Sequence, residues 1–200
     1  MTRPAWSMIV ILTVLLLPGC SHIEGYVDIT KRDTLSRDYL DVFNRWTQEE
    51  TIYAQFETRA HIAATKKSRE FNRAYLAEYA RIYLLGDGER EQREQVIDSE
   101  SSKMTEFVFY AYTPDKESND FSEEQSIWKI FLMDHRGERM EAVDIRRIKE
   151  ITPVIRKLFP YVNPYYGRFY SVRFPRETDR CTLIFASILG RVEFVWGAAG

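Results

Sequence analysis

Apolar residues recur every three or four positions in the first part of the chain and every second position in the last part. From Ser36 onward, Tyr39, Val42, Phe43, Trp46, Tyr53, Phe56, Ala60 and Ala63 follow helical spacing, with Glu and Arg filling the other positions. That is the signature of one apolar helix face. Ser36 stands where an N-cap hydroxyl would accept from first-turn amides. A second helical stretch follows Ser68, with Phe71, Tyr75, Ile82 and Leu85 on one side. Gly86-Asp87-Gly88 is predicted to end it, because glycine readily takes the left-handed conformation of a helix C-terminus. Glu89 to Ser101, polar except around Val96 and Ile97, reads as a solvated helix or helical extension. Residues 35–101 thus predict a helical hairpin, with room for a third arm.

From Glu106 the period shortens to that of strands. Phe107 to Tyr112 is aromatic and β-branched, and Thr113-Pro114-Asp115 ends it as a turn. A polar loop from Lys116 to Gln125 precedes the next run, Ile127 to Met133. Asp134 to Glu138 then reads as a hairpin connection into Met140 to Ile145. Residues 146–160 predict a short helix or an irregular crossover. Tyr170, Val172 and Phe174 alternate with Phe169, Ser171 and Arg173 up to Pro175. Cys181 to Leu189 and Val192 to Trp196 form two strands, or one strand bent at Gly190. Short strands separated by turn signals, without α/β alternation, predict an antiparallel β-sandwich, immunoglobulin-like or similar, over residues 102–200. The fold class is therefore α+β, with the helices either covering one sheet face or standing as a separate unit.

The first twenty residues have a different composition. Arg3 supplies a positive charge, and Met8 to Leu17 is apolar apart from Thr13. Such a run suits a signal-peptide core and is too short to span a bilayer. It ends in Leu17-Pro18-Gly19-Cys20, which resembles the lipobox of bacterial lipoprotein precursors, with Pro18 where Ala or Ser is more usual. The resemblance implies that residues 1–19 are removed, that the Cys20 thiol takes a diacylglyceryl group, and that the new amino terminus is acylated, palmitate being the usual kind of chain. Residues 20–34 then form a lipidated tether. Ser21 in place of Asp implies the outer membrane, with the body facing the periplasm. Several acyl chains, at about 0.8 kcal/mol per buried methylene, anchor a protein firmly. The body, ending in Gly190-Arg191-Val192-Glu193-Phe194-Val195-Trp196, is similar to envelope lipoproteins to which no activity is assigned.

Removing residues 1–19 leaves 181 residues with 27 basic and 30 acidic side chains, a formal charge of −3. Such a balance gives no electrostatic reason to bind nucleic acid. If Cys20 is acylated, Cys181 is the one remaining thiol, and an internal disulfide is excluded. Its apolar neighbours predict a small buried hydrophobe.

The chain contains no phosphate loop, no His-Glu-x-x-His, no Cys-x-x-Cys and no Gly-x-Ser-x-Gly. His22, His61 and His135 lack ligand-spaced partners, so no metal, cofactor or catalytic residue is assigned. The adjacent carboxylates Glu49-Glu50 and Glu123-Glu124 read as solvated positions. The stretch from Phe159 to Arg168 places Tyr161, Tyr165, Tyr166 and Arg168 among prolines and a glycine. It reads either as a recognition surface or as a loop folded onto the core. Arg146, Arg147, Lys149, Arg156 and Lys157 form a basic concentration that suits anionic head groups or a partner. The expected role is a non-enzymatic, membrane-anchored assembly, scaffold or accessory subunit working through an envelope protein partner. One alternative is a carrier of an apolar ligand or lipid inside the β domain. The third is an envelope hydrolase built on Cys181 and His135.

Overall fold

A computed structural model describes residues 35–197. The predicted signal peptide, Cys20 and the tether to residue 34 lie outside the described residues. The chain opens with helix α1 (Arg37–Trp46) and continues as strands β1 (Thr47–Ala54) and β2 (Glu57–Lys66). Helices α2 (Arg69–Tyr83) and α3 (Asp87–Ser101) follow, then β3 (Thr105–Tyr112), β4 (Lys129–Asp134), β5 (Arg139–Glu141) and β6 (Asp144–Ile148). Helix α4 (Pro153–Leu158) precedes β7 (Arg168–Phe174), β8 (Cys181–Ser187) and β9 (Gly190–Trp196). All pairings are antiparallel. Sheet one has the order β1-β2-β3-β7-β6 and sheet two the order β5-β4-β8-β9.

The two sheets share one core. Ile62, Phe107, Phe109 and Tyr170 from sheet one meet Leu132, Leu183, Phe185 and Trp196 from sheet two. Phe109 packs edge-on to Phe185 at 5.0 Å, and Phe107 lies 5.0 Å from Trp196. A second, aromatic layer covers the outer face of sheet one. Phe43 of α1, Phe71 of α2 and Phe169 of β7 all surround Phe159, at 6.5, 6.0 and 5.4 Å. The buried Tyr39 hydroxyl donates to Leu158 O at 2.6 Å, tying α1 to the end of α4. The helices therefore lie on a sheet face, which the apolar pattern had left undecided.

The helix predicted from Ser36 to Ala63 is corrected: it ends at Trp46, and residues 47–66 form a β-hairpin. Tyr53 and Phe56, which matched the helical spacing, are exposed, and Ala60, Ile62 and Ala64 point inward at period two. β2 pairs along both edges, with β1 and with β3, and those ladders outweigh the local helix propensity of Ala and Glu. The hairpin also lacks a recognisable turn sequence. Ala54 pairs with Glu57, and the two residues between, Gln55 and Phe56, have φ of 50° and 69°. A two-residue hairpin with both φ positive normally uses Asn-Gly. Phe56 holds that conformation without burying its ring, so Phe56→Gly should stabilise the protein by about 1 kcal/mol. A urea midpoint that failed to rise would show that the ring has contacts compensating its backbone.

α2 starts after Ser68 as expected, and Ser68 caps it, its Oγ accepting from Phe71 N at 3.1 Å. The predicted Gly86-Asp87-Gly88 terminus is displaced. Leu84 takes the left-handed position (φ 53°), its N–H reaching Ala80 O, and Asp87 and Gly88 already belong to α3. Residues 153–158 settle as a short helix, with the Thr152 hydroxyl accepting from Ile155 N. The predicted polar loop at 116–125 carries a core residue, since Phe121 is 2% exposed and stacks on Trp128 at 4.9 Å. Asp115 and Asp120 tie the loop to itself through Ser118 and Ser122, and Tyr170 and Arg168 donate to Asn119 O.

Candidate functional site

The four residues predicted to meet a partner divide into two pairs. Tyr161 turns inward: its hydroxyl bonds Thr65 Oγ1 at 2.8 Å and its ring stacks on Phe43 at 5.9 Å. Burial pushes its phenol well above the ordinary tyrosine range. Arg168 is committed to Asn119 O and to Asp120 Oδ2 at 2.8 Å. Tyr165 and Tyr166, by contrast, are 85% and 69% exposed. Their backbone is fixed. Asn163 Oδ1 accepts from Tyr165 N at 3.1 Å, and Asn163 O accepts from Tyr166 N and Gly167 N. Gly167 is required by close approach, since a Cβ there would sit 2.4 Å from the Tyr110 ring and 2.5 Å from Ala111 O. The stretch thus divides: half folds on the core, and half stands in solvent on a braced turn.

The Cys181 and His135 pair is not organised for nucleophilic chemistry. β8 pairs Cys181 with Asp134, which puts His135 one residue away along β4. The Cys181 side chain nevertheless points into the core, 4% exposed, whereas His135 stands in the exposed turn. Burial pushes the Cys181 thiol up, with the Lys66 ammonium partly opposing the shift, so the thiolate that would attack is disfavoured. Lys66 is itself buried, donating to Thr178 O at 2.6 Å and Asp179 O at 2.8 Å beside the Trp46 ring. Its stem fills the seam between the sheets and its head satisfies two carbonyls.

The other scattered candidates stay apart. His61 lies on strand β2 instead of a helix, with Nδ1 3.0 Å from Thr51 Oγ1 and Nε2 3.9 Å from Glu49. Glu49 and Glu50, adjacent on β1, point to opposite faces of the sheet. Among the described residues, no three His, Cys, Asp or Glu side chains gather closely enough to hold a metal, and no helix is long and apolar enough to cross a membrane.

Two spaces matter for ligand binding. Between the sheets the core is filled by side chains that are essentially inaccessible. On the outer face of sheet one, α2, α3 and α4 leave a cleft of about 480 Å³. Its floor is Val108, Ile148 and Phe169, and its walls include Phe71, Ile97 and Ile155. Across one end runs a row of alternating charges set by strand register: Lys67 beside Glu106, Glu106 opposite Arg173, Arg173 opposite Asp144. Lys67 Nζ reaches Glu106 Oε2 at 3.1 Å and Arg173 reaches Asp144 Oδ2 at 2.8 Å. Lys103 lines the same end, and no ion pair is recorded for it among the described residues.

Sequence reasoning did not find the cleft. A signal was nevertheless present in Phe107 to Tyr112, where outward Val108 and Tyr110 are as apolar as inward Phe107 and Phe109. A strand apolar on both faces is covered on both. No family model, no curated protein and no solved structure matches this chain.

Proposed function

We propose that the protein is a non-enzymatic lipoprotein of the cell envelope, held by lipid on Cys20 at the outer membrane and facing the periplasm. It would serve as an assembly, scaffold or accessory subunit that meets its partner through Tyr165 and Tyr166. The observation that carries this reading is the pair of exposed rings on a turn braced by Asn163 and Gly167. Tyrosine supplies large contact area at small rotamer cost, and a pre-formed turn lowers the ordering cost of association. The buried Cys181 and the solvent-facing His135 support the non-enzymatic part of the reading. For the fold, we propose a sandwich of the two antiparallel sheets in an order other than the immunoglobulin one, since sheet one runs β1-β2-β3-β7-β6 and α2 and α3 connect β2 to β3.

The test is capture of an envelope protein by cross-linking in intact cells, from wild type and from the double variant Tyr165→Ser/Tyr166→Ser. Capture is expected to fall at least tenfold in the variant, as for removal of a central aromatic anchor (~2 kcal/mol). The unfolding midpoint should stay within ~0.5 kcal/mol of wild type, because neither ring is buried. Equal capture by both forms, or turnover of a substrate by the purified protein, would overturn the proposal.

A further inference from the structure

The outer cleft has the makings of a binding site that the docking role does not use. Its volume of about 480 Å³ lies within the roughly 300–1,000 Å³ of small-ligand sites. Phe71, Phe159 and Phe169 on its walls are buried, so water there finds few polar partners. Its charged side chains, Lys67, Lys103, Glu106 and Arg173, stand beside uncharged polar groups that include Ser171, which donates to Glu106 Oε1 at 3.3 Å.

The charge at that end is not balanced. Glu106 and Asp144 are each matched, by Lys67 and by Arg173, and Lys103 is an additional cation without a recorded carboxylate. An apolar trough with excess positive charge complements a molecule that is apolar along its length and anionic at one end.

We propose that this cleft binds a single-chain amphipathic anion, such as a fatty acid or lysophospholipid. Its chain lies over Val108, Ile148 and Phe169, and its head group is held by Lys103 beside the Lys67 and Arg173 end. The roof of the site is its least firmly packed part. α3 places only Val96 and Ile97 among charged and polar residues, and Ile97 faces the cleft. An element with so little buried apolar area opens at low cost, which gives the chain a route in. The proposal goes beyond the docking role and does not depend on it.

The experiment uses the chain from Ser21 to Gly200, which keeps every core residue among the described ones, from Tyr39 to Trp196. A fluorescent polyene fatty acid, whose emission rises in apolar surroundings, is titrated below its aggregation concentration and then displaced by palmitate or by its methyl ester. Saturable binding is expected, with the uncharged ester displacing about tenfold less well than palmitate. Ser171→Phe, which fills the middle of the trough without removing a core side chain, should abolish binding. Lys103→Glu should weaken it about tenfold. Hydrogen exchange on the unmodified chain supplies a check independent of variant folding, since palmitate should slow exchange in α3 and β6. Unchanged binding in Ser171→Phe, unchanged exchange in α3, or equal displacement by the ester would each overturn the proposal. So would attachment to anionic vesicles without uptake of the monomeric fatty acid, which would mean that the basic residues serve only a bilayer surface.

Discussion

Phe121→Ala should be the most damaging single truncation in the chain, costing about 3–5 kcal/mol. The ring is 2% exposed and touches four other aromatics: Trp128 at 4.9 Å, Phe109 and Tyr170 at 5.4 Å, and Phe185 at 6.2 Å. Those partners come from β3, β7 and β8 and from the segment leading into β4, so no single element can move to fill the void. The loop that delivers the ring is held by Asn119 O accepting from Tyr170 and Arg168. Removing the ring therefore loosens those bonds as well. Domains of this size are stable by about 5–15 kcal/mol, so the loss would consume a large share. Urea unfolding checks it: the midpoint should fall sharply while the slope stays constant. A loss below about 1 kcal/mol would mean that the loop, and not the ring, carries the contact. Phe121→Leu, which keeps most of the volume, should lose much less.

Stability should collapse above about pH 10, and the cause is the set of buried phenols. Burial raises the pKa of Tyr39 and Tyr170 above the ordinary tyrosine value and pushes Tyr110 up to about 12. All three are under 5% exposed. Because the folded pKa lies above the unfolded one, their contribution is fully present below pH 10. It is lost as the pH climbs, since the unfolded chain ionises first and is thereby stabilised. Each phenol that stays neutral only in the folded state costs about 1.4 kcal/mol per pH unit. Tyr39 and Tyr110 alone give roughly 3 kcal/mol per unit between pH 10 and the value at which Tyr110 ionises in place, and Tyr170 acts in the same direction. Tyr75 and Tyr161 are shifted in the same direction and steepen the fall. Denaturation midpoints taken across this range, together with tyrosinate absorbance, measure the effect. A rise near pH 10 with the fold intact that Tyr39→Phe made smaller would show that the buried phenols reach solvent. Tyr39→Phe should reduce the slope by about one phenol's share.

How far the chain could be read in advance depended on whether the local chemistry named its own structure. The helical run after Ser68 announced its start, because a hydroxyl before an apolar-periodic run has one obvious donor to satisfy. β3, β7 and β9 announced themselves through β-branched and aromatic alternation. The β1-β2 hairpin did not, because Gln55-Phe56 occupies a turn that usually takes Asn-Gly, and because Ala60 and Ala63 suit either period. Phe121 was hidden among Asp, Ser and Glu, and a lone aromatic in a polar stretch carries no period. At the candidate docking site, the exposed pair Tyr165 and Tyr166 and the inward Tyr161 look alike as residue types. Only the positions of Phe43 and Thr65, far away in the chain, separate them.

The sequence by itself determined the start of α2, the mixed helix and sheet content, and the Leu-Pro-Gly-Cys motif. Each of these is written within a few neighbouring residues. Tertiary structure alone decided that residues 47–66 pair into sheet one, that the helices lie on its outer face, and that a cleft remains between them. Those outcomes depend on residues far apart in the chain. β2 is a strand because β1 and β3 satisfy its backbone on both edges. The cleft exists because Phe71 converges on one face with Phe159 and Phe169, which follow it in the chain by 88 and 98 residues. Local propensity is worth tenths of a kcal/mol per residue, whereas closing a ladder and burying a face are worth several. Where the two conflicted, the longer-range terms prevailed.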